Sequence, residues 1–521
     1  MSAEAVKKEP FVWRVDALFA VYLQFAVIAA WFLALPIDIS EPYIGRLFTA
    51  LGVLAIWRYG WWLTHFVRAG IYEYRAFPVM RARANELVAS GWRPDQVAFM
   101  MTTYKEHPET TRKVLISIIR EAEITGVPCI LFVGTGDPYD EGIIAEEIER
   151  RGSDMPEGFR VVYVRQNKPG KRIAIGLTLR AMSREGIGGD TPIVFLDGDS
   201  IMEPGCLLAC APFFHLYPKM HALTTHERPL VYGHPIMQRW FDIRFAQRQM
   251  AMQSHALSWR VLTLTGRLSI LRARTIMDEE FISLVEMDSL YNWHWGSFRF
   301  LSGDDKSTWY TLLKRGVEMM YVPDATVHTV ERIEAEWISR ASQNLLRWSG
   351  NMLRNGSRAI AIGPRKMGFF IWWCIIDQRI AMWTCLAGPV AVIFGAFLWT
   401  PMLLLALPPW VLFTRGLLSI FLYYHHRRID PLFPFILYAN QIGSSILKIY
   451  ILFRLPMQRW ANRGDQRSFS EIDWSLKLKT WMAGYITLLW CAAFVFAVVH
   501  YTGVVSTPLE VYAVRLLDFL L

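Results

Sequence analysis

The apolar runs of this chain gather at its two ends and leave residues 71–366 comparatively polar between them, and that arrangement limits the fold more than any other feature. Residues 17–36 (ALFAVYLQFAVIAAWFLALP) contain no charged side chain, and a helix of that length spans a hydrocarbon core of about 30 Å. A second run, 46–67 (RLFTALGVLAIWRYGWWLTHFV), carries Trp61 and Trp62, residues suited to a membrane interface. A cleavable signal peptide is the competing reading of the first run. No small-residue cleavage site is found, and a second span follows at once, so an N-terminal hairpin of spans is expected.

Hydrophobicity returns at 380–398, 402–423, 431–453 and 481–501. Asn440, Gln441, Ser444, Ser445 and Lys448 interrupt the third of these. Basic residues prefer the cytoplasmic face. Lys7, Lys8, the region 71–366, Arg427–Arg428 and 454–479 fall together on that face if 431–453 lies in the interface or re-enters. Two spans before the polar region and three or four after it are therefore expected. Composition agrees: charged residues make up 19%, against about 25% in soluble proteins. Cys129, Cys206, Cys210, Cys374, Cys385 and Cys491 are scattered, with no CxxC pair and no histidine at zinc spacing. This argues against a disulfide framework or a structural zinc motif. The net charge of +9 fits nucleic acid, anionic lipid or an anionic substrate, according to where the charges sit; with the apolar runs at both ends, no nucleic-acid partner is expected.

Within the polar region, apolar runs at 97–103, 127–133, 159–165 and 192–196 alternate with helical patterns at 109–125, 141–151 and 170–184. Such alternation predicts parallel strands flanked by helices, with ligands at the carboxyl ends of the strands. The polar residues sit at those ends: Thr102, Thr103 and Tyr104, then Gly134 to Asp137, then Asp197 and Asp199. Neither a P-loop nor a GxGxxG fingerprint is present.

Four strings carry candidate chemistry. In 194–200 (VFLDGDS) a buried strand ends on two carboxylates, Asp197 and Asp199, hard oxygen ligands for Mg²⁺ or Mn²⁺; a solvated Asp-Gly turn is the alternative. In 167–172 (NKPGKR), Lys168, Lys171 and a helix N-terminus suit a diphosphate, or form a solvated basic loop. In 301–306 (LSGDDK), Asp304 and Asp305 offer a general base, because crowded carboxylates raise one pKa; a helix cap is the structural alternative. In 343–348 (QNLLRW), Gln343 and Arg347 share a helix face and Trp348 lies beside it. Arginine holds a diphosphate and tryptophan stacks on a sugar ring, whereas an interfacial helix with a Trp anchor explains the string without function.

Two spans, DGD at a strand end, GDD, QxxRW and further spans, in this order, resemble the processive family 2 glycosyltransferases, which include cellulose, hyaluronan, chitin and alginate synthases. Six stretches, 245–261, 261–273, 300–313, 320–331, 347–363 and 377–384, bring the likeness closest to the alginate-polymerising members. The resemblance implies a membrane protein with an α/β GT-A glycosyltransferase domain, its sheet mixed and mostly parallel, inserted between transmembrane helices and accompanied by interfacial amphipathic helices. The expected divisions are a transmembrane hairpin at 1–70, the GT-A domain at 71–335, interfacial helices at 336–379 and channel helices at 380–521.

By the same resemblance Asp197 and Asp199 bind Mg²⁺ or Mn²⁺ and Asp197 also meets the diphosphate. Asp305, with Asp304 beside it, deprotonates the acceptor. Gln343, Arg347 and Trp348 serve the acceptor end and the diphosphate, with Thr103, Tyr104, Asp137 and Lys171 completing substrate binding. The loop 454–467 places Trp460 and Arg463 where relatives carry a gating loop, a poor match. The end of the second strand, VGTGD, lacks the paired aspartates with which many relatives read uracil; this fits a guanine-linked donor, or leaves Asp137 to act alone. The implied activity is inverting polymerisation of a nucleotide sugar, GDP-mannuronate into poly-β-1,4-mannuronate, with translocation across a bacterial inner membrane and the catalytic domain cytoplasmic. A related synthase using UDP-glucose or UDP-N-acetylglucosamine is the alternative. Implied partners are the donor, the growing polysaccharide, the bilayer, a c-di-GMP-sensing protein and envelope export proteins.

Overall fold

The computed structural model describes residues 15–37, 41–167, 170–333, 336–426, 429–460, 466–467 and 473–505. Two compact units divide the chain. One comprises His65–Gln378 with Tyr450–Trp481, the other Met1–Thr64, Arg379–Ile449 and Met482–Leu521.

The first unit is built on an eight-stranded sheet ordered β3-β2-β1-β4-β7-β6-β10-β5. Its strands are β1 (Val97–Thr103), β2 (Cys129–Thr135), β3 (Phe159–Arg165), β4 (Pro192–Asp197), β5 (Ser200–Met202), β6 (Met220–Tyr232), β7 (Leu268–Arg272) and β10 (Glu318–Arg332). A separate hairpin pairs β8 (Ser289–Asn292) with β9 (Gly296–Arg299). β1 and β2 are buried along their whole length, as continuous apolar runs in the middle of a parallel sheet must be. β3 lies at the edge and turns Arg160 and Arg165 outward, charges that discourage further pairing. Four of the seven neighbouring pairings are parallel; β7 runs antiparallel to β4 and β6, and β5 to β10. A mixed, mostly parallel sheet is thus present. β10 bulges between Val322 and Thr326, around Pro323, where proline lacks the N–H a regular ladder needs.

Helices α1 (Pro108–Thr125) and α2 (Pro138–Arg151) each open on a proline, whose fixed φ suits the first helical position. They begin earlier than the apolar pattern suggested, because the period marks only the buried face. α3 (Lys171–Arg184), α4 (Pro235–Ala256), α5 (Glu279–Met287), α6 (Asp304–Arg315) and α7 (Trp337–Ile362) complete the helices around the site. After α7 a single helix, Phe369–Leu398, begins eleven residues before the expected run at 380.

Among the described residues, four helices are long and apolar enough to cross a membrane: Phe369–Leu398, Leu403–Tyr424, Phe433–Leu452 and Trp474–Tyr501. The third corresponds to 431–453. Its polar residues do not break it: it is one continuous 20-residue helix. Of the N-terminal pair, Val15–Ala34 is a 20-residue helix and Pro42–Ile71 is a 30-residue helix.

In the second unit, Leu47, Ala387, Ala391, Leu403 and Val498 form one apolar cluster. Phe25 packs edge-on against Phe413 at 5.7 Å, and a Cβ at Gly416 would stand 2.9 Å from the Phe25 ring. Arg415, a basic side chain among these apolar helices, donates to Tyr59 Oη at 3.2 Å and to Gln441 Oε1.

Candidate active site

The carboxyl ends of β1 and β4 open into a cavity of about 1450 Å³. Tyr104, Asp137, Lys171, Asp197, Asp199, Asp304, Asp305, Gln343, Arg347 and Trp348 all line it. Thr103 does not share that wall: it is buried beneath Gly198, where an added Cβ would stand 2.9 Å from its Cβ and Oγ1. The glycine of DGD is therefore required by close packing. Its N–H donates to Thr102 O at 3.0 Å, which fixes the turn that carries both aspartates.

Asp197 is the last residue of β4 and Asp199 directly precedes β5. Lys171, first residue of α3, places its ammonium 2.7 Å from Asp197 Oδ1 and 3.0 Å from Asp304 Oδ2. These three side chains are 9%, 19% and 10% exposed, so the charges meet largely away from water. Gly266 makes room for them, since a Cβ there would come within 2.7 Å of Lys171 Nζ and 2.9 Å of Asp197 Oδ2. Asp199 Oδ1 accepts from Ser200 Oγ at 3.1 Å. Two carboxylates flanking one glycine supply hard oxygen donors on the cavity wall, a donor set that fits Mg²⁺ or Mn²⁺.

The GDD turn is held from several sides. Gly303 adopts φ +86°, which favours glycine, and a Cβ there would stand 2.6 Å from Asn351 Cγ. Asn351 Oδ1 accepts from Ser302 Oγ at 3.1 Å and from Arg354 Nη2 at 2.5 Å. Arg172, also buried, donates to Ser302 O at 3.1 Å and Ser307 Oγ at 2.8 Å. Gln458 accepts from Leu301 N–H at 3.0 Å and donates to Arg299 O at 3.0 Å.

The two aspartates that open α6 have divergent acidities. Burial works against ionisation of Asp304, but Lys171 and Arg172 outweigh it and hold its carboxyl below the usual range. Burial and the charge of Asp304 push Asp305 up, against the opposing pull of Lys306 and Lys171. Lys306, whose ammonium donates to Leu262 O, is itself lowered to about 8 by burial. A carboxyl raised toward neutrality beside one kept ionised is how acid–base roles are divided.

On α7, Gln343 Nε2 donates to Ser339 Oγ at 3.1 Å and Arg347 Nη2 to Asn344 Oδ1 at 3.4 Å. Trp348 stacks on Trp240 with centroids 6.0 Å apart and planes at 15°, and the Arg244 guanidinium lies 4.9 Å from its ring. Asp137 caps α2 by accepting from Tyr139 N–H at 3.0 Å and pairs with Lys105 at 3.2 Å, contacts that lower its pKa, the cap first. Lys168 and Arg463 lie outside the described residues, and Trp460 falls in a two-residue ladder with Gln466.

Several cavity residues escaped sequence reading. Arg248 and Arg267 each stand 3.2 Å from Glu227, a fully buried acid on β6. Burial pushes Arg244 down to about 10, with Arg267 adding to it. Arg244 and Arg248 are one turn apart on α4. That spacing is legible, but a basic pair on a helix ordinarily marks a solvated face.

A profile of the family described as "Glycosyltransferase like family 2" matches residues 94–351. The chain belongs to this family of glycosyltransferases, and with its apolar helices it is a multi-pass, membrane-associated processive enzyme acting on a nucleotide sugar. In particular, it is similar to glycosyltransferase alg8 of Pseudomonas syringae pv. tomato, 37% identical over 461 residues covering 87% of this chain and 93% of the relative. Glycosyltransferase alg8 of Azotobacter vinelandii is 36% identical over 472 residues, covering 89% and 94%. Among solved structures, a mannosyltransferase from Pyrobaculum calidifontis in complex with GDP-Man and Mn²⁺ covers 78% of this chain and 98% of its own at TM-score 0.43 and 16% identity.

Proposed function

We propose that the protein is a mannuronan synthase: an inverting enzyme that polymerises GDP-mannuronate into poly-β-1,4-mannuronate and passes it across a bacterial inner membrane, with the catalytic unit cytoplasmic. The observation that carries the reading is the convergence on one cavity of Asp197, Asp199, Lys171, Asp305 and the Gln343–Trp348 segment. The choice of donor rests on the six alginate-synthase-like stretches and on the alg8 relatives.

In this mechanism Asp305 accepts the proton of the terminal acceptor hydroxyl, whose oxygen attacks the anomeric carbon from the face opposite the diphosphate. The C–O bond to the diphosphate breaks and the nucleoside diphosphate leaves. Asp197 and Asp199 would hold Mg²⁺ or Mn²⁺, which neutralises negative charge on the leaving diphosphate. Lys171 and Arg347 add fixed positive charge there. Asp304 stays ionised against Lys171 and keeps the Asp305 pKa up. Trp348 and Gln343 orient the acceptor, and Tyr104 and Asp137 border the nucleotide. A c-di-GMP-sensing protein and envelope export proteins belong to the same proposal as partners.

Membranes containing the chain, supplied with Mg²⁺ or Mn²⁺, should release nucleoside diphosphate from GDP-mannuronate and yield an alginate-lyase-sensitive polymer. Release from UDP-glucose or UDP-N-acetylglucosamine instead would refute the donor and move the protein to a neutral-glycan synthase.

A further inference from the structure

Three side chains far apart in sequence meet within the catalytic unit: His65 of helix Pro42–Ile71, His255 in the last turn of α4, and Cys374 of helix Phe369–Leu398. One nitrogen or sulfur atom from each lies within 4.8 Å of the others. His65 is oriented, because its Nδ1 stands 3.0 Å from Ser254 Oγ and its Nε2 3.9 Å from Cys374 Sγ. His255 is 5% exposed, and among the described residues its Nδ1 has no hydrogen-bond partner. Its ring meets that of His65 edge-on at 5.4 Å. A buried imidazole nitrogen without a partner is uncommon unless something fills the gap.

We propose that His65, His255 and Cys374 bind one divalent transition-metal ion, Zn²⁺ by preference, that clips these three segments together. Two imidazole nitrogens and one sulfur form a borderline-soft set that suits zinc and does not suit Mg²⁺ or Mn²⁺. Bonds of about 2.0–2.3 Å in a tetrahedron put ligand atoms roughly 3.3–3.8 Å apart, so the present spacing needs shifts of less than about 1 Å. Ser254 acts on His65 as the outer partner that fixes a metal-binding imidazole. Arg68 donates to Ser254 O at 3.1 Å and lies over the Phe370 ring. On binding, the Cys374 S–H bond breaks, its proton passes to solvent, and sulfur bonds the metal. His255 also borders the catalytic cavity, which leaves the fourth coordination position for water. Sequence spacing hid the site because no two of the ligands share an element.

The test uses the full chain in detergent, stripped with a chelator and titrated with Co²⁺. One equivalent should produce a thiolate-to-cobalt charge-transfer band in the near ultraviolet, displaced by Zn²⁺ and not by Mg²⁺. Cys374→Ser should remove the band and weaken Zn²⁺ binding at least ~100-fold. Cys385→Ala, Cys491→Ala and Asp199→Asn should keep it. A band that survives Cys374→Ser, or its absence from the unaltered chain, would overturn the site. Should Cys374→Ser not fold, X-ray absorption on the unaltered zinc-loaded chain decides: one sulfur at about 2.3 Å beside nitrogens at about 2.0 Å supports the site, and an all-oxygen shell sinks it.

Discussion

Replacing Lys171 by Met keeps most of the side-chain volume and removes one charge between two carboxylates. With Nζ at 2.7 and 3.0 Å and every partner under one-fifth exposed, each contact is worth about 5–6 kcal/mol gross at an effective dielectric of about 20. Desolvation offsets much of that in the intact trio, but stranding the carboxylates costs about 3–5 kcal/mol. Proton uptake by Asp304 is the cheapest relief. In the parent its pKa is depressed, so its stabilising effect is complete above the unfolded carboxylate pKa and lost as pH falls through the folded one. In Lys171→Met that pKa moves up, and the penalty is greatest near neutrality and shrinks in acid. Tryptophan-fluorescence melting of the full chain in detergent should show a midpoint lower by roughly 6–12 °C at about pH 7.5 and by clearly less at about pH 5. Adding Asp304→Asn should recover part of the loss. A shift within about 2 °C, or the same shift at both pH values, would refute the charge-trio account.

Further outcomes follow from the same geometry. Asp305→Asn should reduce nucleoside diphosphate release ~10²–10⁴-fold while donor affinity, measured by calorimetry, stays within about threefold. Because Lys306 pulls the Asp305 pKa down, Lys306→Met should move the acid limb of the pH–rate profile to higher pH; an unmoved limb would separate Asp305 from that limb. Gly303→Ala forces a side chain into the left-handed region and against Asn351, displacing the GDD turn. About 1 Å of displacement should cost ~10²-fold in rate, read at saturating donor. Chelation with EDTA should stop turnover, and Mg²⁺ or Mn²⁺ should restore it.

The parallel half of the sheet was legible because β1, β2 and β4 are buried runs that need no distant partner to explain them. The DGD and GDD strings stand at turns where glycine is demanded by contacts with Thr103 and Asn351, so residue type carried the signal. β6 was not legible: it mixes Thr224, Thr225, His226 and Glu227 into a buried strand, and Glu227 is matched by Arg248 and Arg267 from elsewhere. Nor could spacing reveal that β7 slots antiparallel between β4 and β6. The polar interruptions in 431–453 left its crossing open for a related reason, since Gln441 is answered by Arg415 on the preceding helix.

Gln458 grips the backbone on either side of Phe300, Arg354 donates to Leu455 O at 2.9 Å, and Trp295 donates to Phe453 O at 2.9 Å. The stretch that supports the GDD turn is thus translated only after three apolar helices have been made. A fragment ending before residue 450 would hold every acidic residue of the site and still lack the peptide that braces the turn carrying Asp305. Catalytic competence should therefore arrive late in synthesis, once Phe433–Leu452 has been completed, and stop codons placed between 367 and 450 should give inactive chains even where the sheet has folded.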